Sequence, residues 1–268
     1  MSTIDEKRVY SDKGGKTEAF VAAAIGVIVV EVSDDLIGGF GVERRCAARD
    51  VAAAGGEVVV ATDEDVLVSA GDGFEGTGFG PAVAVGHGDG GVLAAGEDGR
   101  VARYEAAAGD GSDGEWTDLG TAGSVRAIDG GVVAAADGVH RVAGGELRHA
   151  GLDDVRDVAG RGVPLAATGE ALYALGNGWM DALRGDFRAV SSDGGDRAHA
   201  VSASGVYART DGEWSEIEPP VDEPIVDVDY SPDATVAVTD AGTFLLDAGD
   251  GWRSQALGLD GVGGLAVR

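Results

Sequence analysis

Charged residues recur in pairs on short apolar segments of this sequence. The pairs are Arg49 with Asp50, Arg126 with Asp129, Arg156 with Asp157, Arg197 with His199, and Asp227 with Asp229. A guanidinium offers a planar fork of donors that grips a carboxylate or phosphate through two bonds. A carboxylate accepts protons, or fixes N–H groups in place. Set at equivalent points of a ring, such groups either bind a ligand at its axis or neutralise one another between neighbouring segments. The ligand-binding candidates are Arg49, Asp50, Arg126, Arg156, Asp157 and Arg197. Mutual neutralisation is the expectation, because successive side chains of a strand point to opposite faces and an Arg-Asp neighbour pair cannot both face one axis.

Proton transfer near neutral pH calls on histidine. His87 lies in Gly86-His87-Gly88-Asp89, where flanking glycines predict an imidazole exposed on a loop. If the chain is a hydrolase or lyase, His87 or His199 would carry the proton beside Asp227 and Asp229. No HxH, HExxH or CxxC spacing occurs, so no metal site is expected. Neither a GxSxG elbow nor a GxxxxGK[ST] loop occurs, which leaves serine catalysis, nucleotide binding and any cofactor without support. The stretch Asn177–Gly185 reads as a loop insertion, and its Trp179, Met180 and Leu183 would make a protein-contact patch.

The segments that carry these residues repeat. Ala48–Ala53 is followed by Val58–Thr62, and Ile225–Asp229 by Thr235–Thr239, each ending in a Gly-aromatic signal. Strand-only units of this length, recurring round the chain, predict an all-β propeller. First strands are expected at Ala48–Ala53, Ala82–Gly86, Val125–Asp129, Val155–Ala159, Arg197–Ser202, Ile225–Asp229 and Val262–Val267, which makes seven blades, with six or eight as alternatives. Val262–Val267 has no strand after it, whereas Glu18–Ile25 begins a blade that lacks a first strand. Pairing the two would close the ring. Residues 1–16 are polar and form an N-terminal arm; residues 17–268 form the propeller. The four tryptophans each follow a glycine closely, and Asp113–Trp116 and Asp211–Trp214 resemble degenerate Asp-box turns of sialidase-type propellers, which implies architecture rather than catalysis.

Composition sets the surroundings. The formal net charge is −27, lysine occurs only at positions 7, 13 and 16, and arginine supplies the remaining basic residues. Such an excess of acid weakens a compact state at low salt and is screened at high salt, where the Debye length shrinks to about 3 Å. Salt adaptation is therefore expected. Nucleic-acid binding is disfavoured, because phosphate contacts need a basic face. Cys46 stands alone, so no intrachain disulfide can form, and it reads as buried filler. The apolar run Phe20–Val30 is too short to cross a bilayer, and no secretory signal is seen, so a cytoplasmic protein is expected.

Over most of its length the chain resembles a family of haloarchaeal β-propeller proteins. The resemblance is carried by Glu6–Tyr10, Arg45–Ala53 and Val59–Val68. It implies the fold and salt adaptation, brings no catalytic motif and leaves the activity open. The expectation is a binding platform for a protein partner, with a hydrolase or lyase at the channel mouth as the alternative; the oligomeric state is open.

Overall fold

The computed structural model describes residues 17–71, 73–106 and 114–268. Residues 1–16, read above as an N-terminal arm, and Asp113 of the Asp113–Trp116 motif lie outside them. The described residues form twenty-eight strands in seven four-stranded antiparallel sheets. Blade one contains β1 (Thr17–Ala23), β2 (Gly26–Ser33) and β3 (Leu36–Arg44). Blade two contains β4 (Ala48–Ala54), β5 (Glu57–Thr62), β6 (Val66–Ala70) and β7 (Gly73–Gly76). Blade three contains β8 (Ala84–Gly88), β9 (Gly91–Ala95), β10 (Arg100–Glu105) and β11 (Glu115–Thr121). Blade four contains β12 (Val125–Asp129), β13 (Val132–Ala135), β14 (Gly138–Ala143) and β15 (Glu146–His149). Blade five contains β16 (Val155–Ala159), β17 (Leu165–Thr168), β18 (Ala171–Leu175) and β19 (Trp179–Arg184). Blade six contains β20 (Phe187–Ser192), β21 (Ala198–Ser202), β22 (Val206–Thr210) and β23 (Glu213–Ile217). Blade seven contains β24 (Ile225–Tyr230), β25 (Thr235–Thr239), β26 (Thr243–Asp247) and β27 (Trp252–Ala256).

The last strand, β28 (Gly264–Val267), supplies the innermost strand of blade one by pairing with β1. Their register runs Ala19 to Val267 through Ala22 to Gly264, and Arg268 N donates to Glu18 O at 2.8 Å. The ring is thus a seven-bladed propeller closed by both ends of the described chain, as the unpaired segments predict.

Two strands differ from the sequence reading. The stretch read as a loop around Trp179 is β19, the outer strand of blade five, paired with β18. The first strand of blade six is therefore β20, and Ala198–Ser202 is its second. A bulge at Ala182 interrupts its pairing, so Trp-Met-Asp-Ala-Leu-Arg shows no regular alternation to read even though Trp179 and Leu183 are partly buried.

The core is seven thin slabs, one in each gap between adjacent blades. Alternation along β1 explains how one strand serves two gaps. Ala19, Val21 and Ala23 pack towards blade seven, while Phe20 and Ala22 pack towards blade two. Inner strands buried on both sides read as unbroken runs of Val and Ala, as in Val58–Ala61. Each buried Val contributes roughly 1.5–3 kcal/mol. Tight turns join the inner strands: Gly55 and Gly56, between β4 and β5, hold φ of 60° and 86°, the pair of left-handed conformations that a two-residue hairpin turn demands. Tryptophans tie neighbouring blades, Trp116 Nε1 donating to Thr77 O at 3.1 Å and Trp179 Nε1 to Ala150 O at 2.8 Å. Cys46 is half-buried rather than buried, between β3 and β4, and burial raises its thiol pKa.

Candidate functional site

Five of the inner strands carry the same irregularity. The pairing register of β4, β12, β16, β20 and β24 with its neighbour slips by one at the second residue, which is Arg49, Arg126, Arg156, Arg188 and Val226 respectively. A bulge inserts one unpaired residue and re-aims the side chains around it. An arginine and the residue after it then both reach the channel, contrary to the expectation from regular alternation. Arg49, Asp50, Arg126, Arg156, Asp157, Arg188 and Asp227 line one cavity of about 180 Å³ at this mouth.

Below the arginines lies a belt of carboxylates. Asp50 Oδ1 accepts from Val51 N at 2.8 Å, and its Oδ2 from Val85 N of the next blade at 2.9 Å. Asp157 holds Val158 N at 2.8 Å and Val190 N of the next blade at 2.7 Å. Asp227 holds Val228 N at 2.7 Å and Leu265 N of β28 at 2.8 Å. Each carboxylate staples its own inner strand to the following one. Burial pushes Asp50 and Asp157 up to about 7, despite the N–H bonds that favour the ionised form. Asp227 is raised well above the usual carboxylate range by burial and by the nearby Asp157.

The arginines also reach to the next blade. Arg49 Nη1 donates to Glu97 Oε1 at 2.7 Å and to Ala82 O at 3.2 Å. Arg126 donates to Asp154 Oδ1 at 2.7 Å and to Val155 O at 2.9 Å. Arg156 pairs with Asp186 and donates to Phe187 O at 3.2 Å. These three arginines therefore take their carboxylates from the following blade and not from an Asp of their own strand.

The far mouth is differently furnished. A cavity of about 110 Å³ extends from the carboxylate belt to Asp129, Asp229 and Arg161. Arg161, in the turn after β16, crosses the bore to donate to Ala53 O of blade two at 3.3 Å, with its Nε 3.6 Å from Asp129 Oδ1. Asp229 Oδ2 accepts from Val267 N at 2.7 Å, and burial raises this carboxyl to about 6. His87 is in strand β8 instead of on an exposed loop, because its glycine neighbours pair with the strand beside them. Its Nδ1 is 3.8 Å from Glu57 Oε1, its buried Nε2 has no hydrogen-bond partner among the described residues, and burial lowers its pKa.

His199 and Arg197 do not line the channel cavities. His199 is buried between blades six and seven, where Nδ1 meets Tyr230 Oη at 2.9 Å and burial lowers the imidazole to about 4. Arg197 bonds Asp193 Oδ2 at 2.8 Å and Ser231 O at 2.9 Å, and its guanidinium lies over the Tyr230 ring. The sequence places both at the channel only if Arg197–Ser202 is the innermost strand of blade six, whereas that strand is β20. The residue at the equivalent point is Arg188, in Phe187-Arg188-Ala189-Val190, and its likeness to Val125-Arg126-Ala127-Ile128 was the available signal. Of His87, His199, Asp227 and Asp229, then, the two aspartates share β24, and the histidines sit in other walls of the ring. Of the patch at β19, Met180 is 57 % exposed, whereas Trp179 and Leu183 pack into the gaps on either side of blade five.

Comparison with known proteins bears on the fold. A family model described as Beta-prop_HVO_0234:-like, beta propeller, matches residues 3–268. Among curated proteins none matches. Similar solved structures include the WD40 β-propeller domain of Doa1, with a TM-score of 0.64 and 17 % identity over 81 % of this chain and 84 % of that one. YCF48 bound to D1 peptide has a TM-score of 0.58 and 13 % identity over 78 % and 82 %. Apo AztD from Citrobacter koseri has a TM-score of 0.57 and 9 % identity over 92 % and 84 %. At these identities the likeness speaks to the fold. Among the described residues no helix is long and apolar enough to cross a membrane.

Proposed function

The chain belongs to the HVO_0234-like β-propeller family, and from that premise we propose that it is a salt-adapted cytosolic binding platform for a protein partner. The observation that carries this reading is the use already made of the channel's charged groups. Asp50, Asp157 and Asp227 hold backbone N–H groups of adjacent blades, and Arg49, Arg126 and Arg156 hold carboxylates of the next blade. Groups so committed stiffen a ring and are poorly placed to move protons or grip a transition state. A rigid ring with seven sets of surface loops suits recognition, and the peptide carried by YCF48 is an instance of a propeller of similar fold doing so. The acidic surface, with its net charge of −27, supports function at high salt and disfavours nucleic acid.

The test is affinity capture from native lysate at molar salt, followed by cross-linking and mass spectrometry. A stoichiometric partner cross-linked to one face supports the platform. Met180→Asp asks whether the outer edge of blade five, with Trp179 and Leu183 behind it, forms part of that face. A protein that stays solitary at every salt concentration overturns the reading.

A further inference from the structure

Arg188 breaks the pattern set by the other three arginines of the mouth. Arg126 is answered by Asp154, the residue just before β16, and Arg156 by Asp186, the residue just before β20. The residue just before β24 is Pro224, which has no side-chain acceptor. Glu223, one position earlier, is held instead by Thr239 Oγ1 at 2.6 Å, and hydrogen bonds from Thr239 and Thr243 keep its pKa below the usual range. Arg188 turns back to Ser202 O of its own blade at 3.2 Å and has no carboxylate partner among the described residues. A guanidinium has five N–H donors, and this one bond uses a single donor.

Its position adds a second observation. Arg188 lines both the mouth cavity and a larger cleft of about 670 Å³ between blades six and seven. That size falls in the range of roughly 300–1,000 Å³ seen for ligand clefts. Val201, Val206 and Ile225, nearly buried in the slab between the blades, and the half-buried Ile217 line the cleft together with the loop Pro219–Pro224. Glu216, Glu218, Asp222 and Glu223 also line the cleft, so negative charge would be repelled there and attracted only at Arg188.

We propose that this mouth binds an extended segment of a partner protein, one acidic side chain paired with Arg188 and an adjoining aliphatic side chain in the cleft between blades six and seven. The inference rests on the platform reading and names the chemistry that the platform recognises. The charge pattern sets the specificity: one acid, at the arginine end, with apolar residues beside it. A carboxylate on Arg188 is also what the missing acid before β24 would have supplied.

The experiment is selection of a random heptapeptide display library on the intact protein. The expected result is enrichment of sequences with a single Asp or Glu next to an aliphatic residue. Synthetic copies of the enriched peptides, blocked at both ends, should bind about tenfold more weakly to Arg188→Gln and when their acid is changed to its amide. Arg148→Gln, an equal charge change on exposed β15, should bind as wild type, and melting temperatures confirm that all variants fold. The inference is overturned by no enrichment, by enriched peptides that lack an acid, or by binding indifferent to Arg188→Gln. It is also overturned if free citrate or inorganic phosphate binds as tightly as the peptides, since the site would then take a simple anion. A captured partner that cross-links elsewhere sinks this inference and leaves the platform standing; a protein that stays solitary overturns both.

Discussion

At Asp157 both carboxylate oxygens accept a backbone N–H, one from its own strand and one from the next blade. An asparagine there keeps one acceptor and turns an NH₂ towards the second N–H, leaving a buried donor facing a donor. Above about pH 8, where Asp157 is ionised, Asp157→Asn should therefore cost about 1–3 kcal/mol, read from urea unfolding, and an unchanged midpoint would refute the staple. The same belt sets a pH dependence. Asp50 and Asp157 are raised to about 7 and Asp229 to about 6, so the folded chain holds more protons than the unfolded one between about pH 4 and 7. The stability from these groups is complete below the ordinary carboxylate range and is lost as pH rises through their folded values. His199, lowered to about 4, and His87, also lowered by burial, act in the opposite sense, because their neutral forms are favoured in the fold and stability is lost as pH falls below 6.5. The four raised carboxyls, Asp227 included, outnumber them. The melting temperature at fixed ionic strength should fall between pH 5 and pH 7.5, and a rise over that interval would contradict the burial of the belt. Asp137, Asp193 and Glu223, whose pKa values are lowered, contribute stability that is lost as pH falls through their folded values.

Strands explain which parts of the site could be seen in advance. Inner and second strands are buried on both sides, so their Val and Ala runs stand out in the sequence, and six of the seven first strands were legible from them. The closure by β28 was legible too, because one strand too many at one end matched one too few at the other. Blade six was misplaced by a single outer strand, β19, whose bulge breaks the alternation of exposed and half-buried side chains. That slip replaced Arg188 with Arg197 among the channel candidates. The bulges were not legible, since they depend on pairing partners and leave no composition mark, and with them went the fact that Arg and Asp neighbours share a mouth. β28 also gives the element-scale prediction. Removing residues 262–268 deletes its rungs to β1 and the acceptance of Leu265 N and Val267 N by Asp227 and Asp229. The whole ring should lose stability, seen as a melting temperature lowered by several degrees with one cooperative transition. A melt that is unmoved would show β28 to be dispensable.

For the whole molecule, charge and architecture pull against each other. Seven thin slabs of small side chains hold a ring whose formal net charge is −27. Screening should help it: the melting temperature is expected to rise steadily from 0.1 M to 2 M KCl, continuing beyond the point at which exposed pairs such as Arg148–Glu146 are already screened. A melting temperature that falls with salt would place the stability in ion pairs instead of in the slabs.

The pairing of β28 with β1 has a mechanical corollary. The strands are antiparallel, and Glu18 faces Arg268, so residues 17 and 268 lie at the same end of the shared ladder. A pull applied between those two points would load the rungs in succession, as a zipper opens, and never all of them in parallel. Tethered there in an optical trap, the ring should open at low force by peeling β28 away. Tethered instead across two outer strands of different blades, the same molecule would have to tear a slab of packed Val and Ala before it yielded.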